Sequence, residues 1–228
     1  MCFWASRRAS HCNLFAWRKQ KGFSFQSLTQ FRLQSNYPFQ TQICNLYFYR
    51  MQKLKLEDLN RVGIEEFKKQ DKLPVIVILD SVRSMHNVGS IFRTSDGFAV
   101  EKIYLCGITA QPPHREIEKT ALGATQSINW VYNNDISEVI NEVKAAGYKI
   151  IAIEQAVDSV MLNDYQPNSN EKFALIFGNE VNGVSEEAMK MIDTCLEIPQ
   201  FGTKHSFNIV ISAGIVLWDF FSKLNLAK

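Results

Sequence analysis

The 228-residue chain contains no continuous run of the roughly 18 apolar residues that a membrane span requires, so no spanning helix is expected. Its five cysteines, at positions 2, 12, 44, 106 and 195, form no CxxC pair and no zinc-ligand spacing. A disulfide scaffold is excluded, and the odd count without a secretion signal is that of a reducing cytoplasm. The four histidines (His11, His86, His114 and His205) fall in neither HExxH nor a paired spacing, so no metal is expected. No GxGxxG follows a strand-like run, and no GxSxG or Cys/His signature marks covalent catalysis.

Acid is missing from one end. Residues 1–50 carry seven basic residues (Arg7, Arg8, Arg18, Lys19, Lys21, Arg32 and Arg50) and no Asp or Glu. They also hold 12 of the 27 aromatics, without helical or alternating period. The formal charge of +2 therefore hides a remainder, 51–228, with 18 basic against 23 acidic residues, a net of −5. Three readings of this leader stay open. A basic, Ser-rich, acid-free start resembles a transit peptide. Cations interleaved with aromatics suit a nucleic-acid-binding tail. A start assigned too far upstream would also join two unlike compositions at Met51, where a charged helix-forming stretch begins.

Residues 51–228 read as one α/β domain with a mostly parallel sheet and helices on both faces. Val75–Leu79 is a continuous β-branched run suited to a buried parallel strand, and similar runs lie at 102–106, 148–153, 173–177 and 195–198. A helix is expected over 55–70, from Leu56, Leu59, Val62 and Phe67, although Gly63 weakens it. Asp135 can cap a helix bearing Ile136, Val139, Ile140 and Val143 that ends at Gly147. Ser185 can cap a helix over 186–192. The stretch from about Ser206 to Leu224 is apolar nearly all round and calls for burial on most sides, in a core or a subunit interface.

Ligands of parallel sheets bind beyond the C-terminal strand ends, so the loops there are the candidates. After the first strand comes His86-Asn87-Val88-Gly89-Ser90-Ile91-Phe92-Arg93-Thr94-Ser95-Asp96. Asn87 can cap a helix there, and Arg93 is either a phosphate-directed guanidinium or a surface partner of Asp96 at i+3. The second loop, Gly178-Asn179-Glu180-Val181-Asn182-Gly183-Val184-Ser185, has G-x4-G spacing, but Val184 replaces the lysine of a phosphate loop and excludes nucleoside triphosphate binding. A turn would explain its glycines but not Glu180. The third, Ile198-Pro199-Gln200-Phe201-Gly202-Thr203-Lys204-His205-Ser206-Phe207-Asn208, leads into the most apolar helix. That helix start can receive an anion, or Ser206 can simply cap it.

In this order the three segments resemble the motifs of the SpoU/TrmH family of SPOUT RNA methyltransferases, over roughly residues 53–225. Lys119-Thr120-Ala121-Leu122-Gly123-Ala124 is similar to the family as well. The resemblance implies a C-terminal deep trefoil knot, a homodimer that uses the last helix, and methyl transfer from S-adenosylmethionine to a ribose 2′-OH in tRNA or rRNA. A guanosine in the tRNA D-loop is the first candidate, an rRNA ribose the second, and a catalytically inactive knotted RNA-binding or assembly protein the alternative. By position, Arg93 matches the arginine that acts on the 2′-OH, held by Asn87. Glu180, Ser206 and Asn208 match polar site residues, and Gly178, Ile198 and Phe207 match the lining of the cofactor pocket. Gln200 and Phe207 stand where the family usually has Met and Leu. A core at −5 cannot attract RNA in bulk, so local cations must do it, with Arg83, Arg93, Arg115, Lys119 and Lys204 as candidates.

If the leader is a misassigned start, mass spectrometry of the native protein finds its N-terminus at Met51; a peptide from upstream overturns this.

Overall fold

A computed structural model describes residues 53–59 and 61–226; the leader 1–50 lies outside them. A 3-10 turn at Leu56–Leu59 precedes α1 (Ile64–Lys69), so the single helix expected over 55–70 divides in two. The break falls at Gly63, whose backbone is extended, and of the apolar set Phe67 is buried while Leu59 and Val62 are exposed. Glycine's backbone entropy decides against helix where little apolar surface would be covered.

The chain then alternates as expected. β1 (Leu73–Asp80) leads to α2 (Met85–Gly97), β2 (Val100–Cys106), α3 (Arg115–Ala121), α4 (Ala124–Ser127) and β3 (Asn129–Asn133). α5 (Ile136–Ala145), β4 (Tyr148–Ile153), the two-residue β5 (Val160–Met161) and β6 (Lys172–Phe177) follow. α6 (Glu186–Met189), β7 (Thr194–Glu197) and α7 (Ile209–Leu226) complete it. Every strand pairing is parallel, in the order β3-β2-β1-β6-β4-β7-β5. β3 escapes the sequence reading because it is an edge strand with an exposed or half-buried pattern and no continuous apolar run.

Alternate residues of β1 serve the two faces. Val75, Val77 and Leu79 enter the larger core, which α2 and α7 cover; Ile76 and Ile78 enter the smaller one, under α5 and α6. Caps fix the helix starts. Asp135 Oδ1 accepts from the N–H of Ser137 at 2.8 Å, and Ser185 Oγ accepts from Ala188 at 3.3 Å. Two expected caps differ. Ser84, not Asn87, caps α2, its Oγ accepting from the Asn87 N–H at 3.3 Å. Asn208 rather than Ser206 starts α7, with Oδ1 accepting from the Val210 N–H at 2.8 Å.

α7 is buried on its inner side only. Ala213, Val216, Leu217, Phe220 and Leu224 are enclosed, whereas Ile211 and Trp218, two turns apart, are 52% and 58% exposed. Phe220 meets Phe173 edge-on at 5.3 Å and stacks near Tyr165 at 5.9 Å. Phe220→Ala should cost about 3–5 kcal/mol of stability; urea denaturation measures it, and a loss below about 1 kcal/mol would mean that α7 is not held by this contact.

Candidate functional site

Four loops leave the C-terminal ends of β1, β4, β6 and β7, and they converge. At the end of β1, buried Asp80 accepts from the Ser185 N–H at 2.8 Å. Asn179 donates from Nδ2 to the Ser81 carbonyl at 2.7 Å, while its Oδ1 accepts from the N–H of Val181 at 2.8 Å and of Asn182 at 3.2 Å. The β6 turn is thereby tied to the β1 turn. It is also closed on itself: Asn179 and Gly183 exchange backbone hydrogen bonds at 2.8 and 2.9 Å. A Cβ on Gly178 would strike the backbone of Gly183 and Val184, so the turn needs glycine for close approach.

This turn delivers Glu180 to the start of α2. Its carboxylate accepts from the N–H groups of Arg83 (3.3 Å) and Ser84 (3.4 Å) and from Asn87 Nδ2 (2.9 Å). Asn87 Oδ1 in turn accepts from Asn208 Nδ2 at 3.5 Å. Glu180, Asn87 and Asn208, one from each sequence segment, therefore form a single hydrogen-bonded chain. Partial burial alone would raise the Glu180 pKa. The hydrogen bonds from Asn87, from its own backbone and from Arg83 and Ser84 overcome that and hold it below the usual carboxylate range.

Beside this chain lies a cleft of about 400 Å³, within the range that holds a nucleoside-sized ligand. Six of the eight candidate site residues line it, Gly178, Glu180, Ile198, Ser206, Phe207 and Asn208, and so does Gln200. Ile153, Phe177, Ile198 and Phe207 provide apolar wall for a flat base. The acids Glu154 and Glu180 line it too, whereas among the described residues no Lys, Arg or His does. Such a cavity favours a cationic or hydroxyl-rich ligand and disfavours phosphate.

Arg93 and Asn87 do not line the cleft. Arg93 is exposed on α2, six residues and about 120° around the helix from Asn87. Asn87 does not hold it, being engaged with Glu180 and Asn208. Nor does Arg93 pair with Asp96 among the described residues; Asp96 accepts from Ser127 Oγ instead. The sequence reading missed Glu154, at the end of β4, which accepts from the N–H of Val184 at 3.0 Å and of Gln155 at 2.9 Å. An acid just beyond a parallel strand was the available signal. Among the described residues, burial, then the charges of Asp80 and Asp135, push the Cys106 thiol up to about 12, and burial raises Cys195 as well, so neither is poised as a thiolate. Among the described residues no group of three or more His, Cys, Asp or Glu could hold a metal, and no helix is long and apolar enough to cross a membrane.

The fold and cleft define a parallel α/β protein whose candidate ligand site is built from the β1, β4, β6 and β7 loops. Residues 74–218 match the SpoU rRNA Methylase family, and the chain belongs to it. It is 32% identical over 174 residues to the tRNA (guanosine(18)-2′-O)-methyltransferase of Aquifex aeolicus, covering 74% of this chain and 78% of that protein. It is 28% identical over 159 residues to the 23S rRNA (guanosine-2′-O-)-methyltransferase RlmB of Neisseria meningitidis, covering 69% of this chain and 62% of that one. Among solved structures, the AdoMet-bound rRNA methyltransferase of Sinorhizobium meliloti is similar at a TM-score of 0.62 and 28% identity, over 69% of this chain and 60% of that chain.

The Glu180 carboxylate gives a pH signature. Its folded pKa is depressed, so its contribution is complete above the pKa of an unfolded Glu and is lost as pH falls through the folded value. Glu180→Gln should lower the melting temperature near neutral pH and flatten the acid limb of stability against pH. Parallel acid limbs in thermal melts of the two proteins would contradict this role.

Proposed function

We propose that the chain is an S-adenosylmethionine-dependent RNA methyltransferase acting on a ribose 2′-OH. The observation that carries this reading is the cleft. It is large enough for the cofactor, apolar where an adenine would lie, and lined by Glu154 and Glu180 without a cationic side chain. That lining suits a sulfonium and ribose hydroxyls. Gly178, Ile198 and Phe207 would enclose the cofactor, and Ser206 lies on the same wall. When bound, the cofactor supplies an already electrophilic methyl group, so the protein's task is placement.

The residues divide that task. Glu180, Asn87 and Asn208 fix the three loops against one another. Arg93 meets the RNA: a guanidinium with a pKa above about 12 is a poor base, so it orients the hydroxyl and its neighbouring phosphate. tRNA, with a D-loop guanosine first, is favoured over rRNA because the match spans 78% of the Aquifex relative against 62% of the Neisseria one. A C-terminal knot belongs to the same reading, supported by the insertion of β6 between β1 and β4. So does a homodimer, supported by exposed Ile211 and Trp218 on the outer side of α7, Trp218 packing beside Phe98 and Phe221.

Arg93→Ala should reduce methyl transfer to unmodified tRNA roughly 10²–10³-fold or more, with an unchanged melting temperature and unchanged calorimetric binding of S-adenosylhomocysteine. Near-normal transfer refutes the role of Arg93. A wild-type chain that fails to bind S-adenosylhomocysteine is instead an inactive RNA-binding protein.

A further inference from the structure

We propose that Phe201 is the platform on which an unpaired base of the RNA stacks, with Lys204 holding an adjoining phosphate. The proposal rests on the RNA-methyltransferase reading and names how the substrate is gripped. Phe201 is 99% exposed, whereas Phe92, Phe173, Phe177 and Phe220 lie almost wholly inside the core. A fully hydrated phenyl ring contributes nothing to folding, and its place in the molecule is specific. It follows Gln200, which lines the cleft, in the loop from β7 to α7. Of the apolar side chains that line that cleft, two are themselves exposed: Val181, at 75%, and Phe207, at 43%.

Charge selects the occupant. The acid-lined cleft repels phosphate, so an RNA backbone must be held outside it. Residues 198–208 contain Lys204 and His205 and no acid, and Lys204 is exposed. Aromatic ring and cation on one short loop are the two elements that single-stranded RNA requires: a π-face for a base and a charge for the backbone. A ribose that enters the cleft leaves the regular stack, and its base or its neighbour's needs a new surface.

The test measures binding of a short uridine homopolymer and of an RNA duplex to the full chain saturated with S-adenosylhomocysteine. Phe201→Ala and Phe201→Leu should weaken single-strand binding about five- to a hundredfold, and Phe201→Tyr should retain it. Duplex binding and sedimentation should not change. Lys204→Ala should make the slope of log affinity against log salt shallower by about 0.7. Wild-type-like binding by Phe201→Leu, or no single-strand preference in the wild-type chain, overturns the proposal. A changed sedimentation coefficient in Phe201→Ala does so too, because the ring is then covered by a second copy. Methyl transfer by the wild-type chain is scored separately: its absence refutes the enzymatic reading, whereas an unaltered Phe201→Ala refutes the stacking.

Discussion

The site depends on one carboxylate at the start of one helix. Glu180 satisfies backbone N–H groups at the entry to α2 and binds Asn87, which reaches Asn208 at the start of α7. The α2 segment is thereby fixed to two others that lie 93 and 121 residues along the chain from Asn87. The helix start favours negative charge there, which is why an acid succeeds where a neutral side chain would bind less strongly. Because α2 and α7 also cover the larger core, the interaction links the packing of the fold to the shape of the cleft.

Two further hydrogen-bond sets keep the cleft open. Asp80 anchors Ser185, and Asn179 pins the β6 turn to Ser81, so that turn is held from both ends. Glu154 then braces Val184 from β4. These polar groups sit at strand ends where backbone donors lose their ladder partners, and each donor they satisfy would otherwise face an unpaired burial cost of about 1–3 kcal/mol. The resulting rigidity suits the proposed methyl transfer, in which placement of the two substrates is the protein's main task.

Much of this was legible in the sequence. β1, β2, β4 and β6 announce themselves as apolar runs because these central parallel strands are largely buried on both faces, whereas β7 is half-buried and shows only its short apolar stretch. Asp135 and Ser185 act as the caps that their positions imply. The failures share a cause. Asn87 reads as a cap locally, but Ser84 takes that task and frees the Asn87 side chain for Glu180, 93 residues away. Ser206 likewise yields to Asn208, whose side chain serves both its own helix and Asn87. Local preference identifies candidate polar residues; only the tertiary arrangement assigns each its partner.

The two charges of the chain now have a spatial meaning. A domain at −5 is ill suited to a polyanion, yet two of its acids, Glu154 and Glu180, line the cleft, where the proposed reading places a cationic cofactor rather than phosphate. On the proposed reading that acidity is itself useful, because it keeps an RNA backbone out of the space assigned to the cofactor. Exposed cations such as Arg93 and Lys204 then act within about a Debye length, near 8 Å at physiological salt, where a few local charges outweigh a diffuse net charge of opposite effect. In the proposed reading attraction and exclusion are thus separated by position on the surface, and the composition total of +2 conceals that separation.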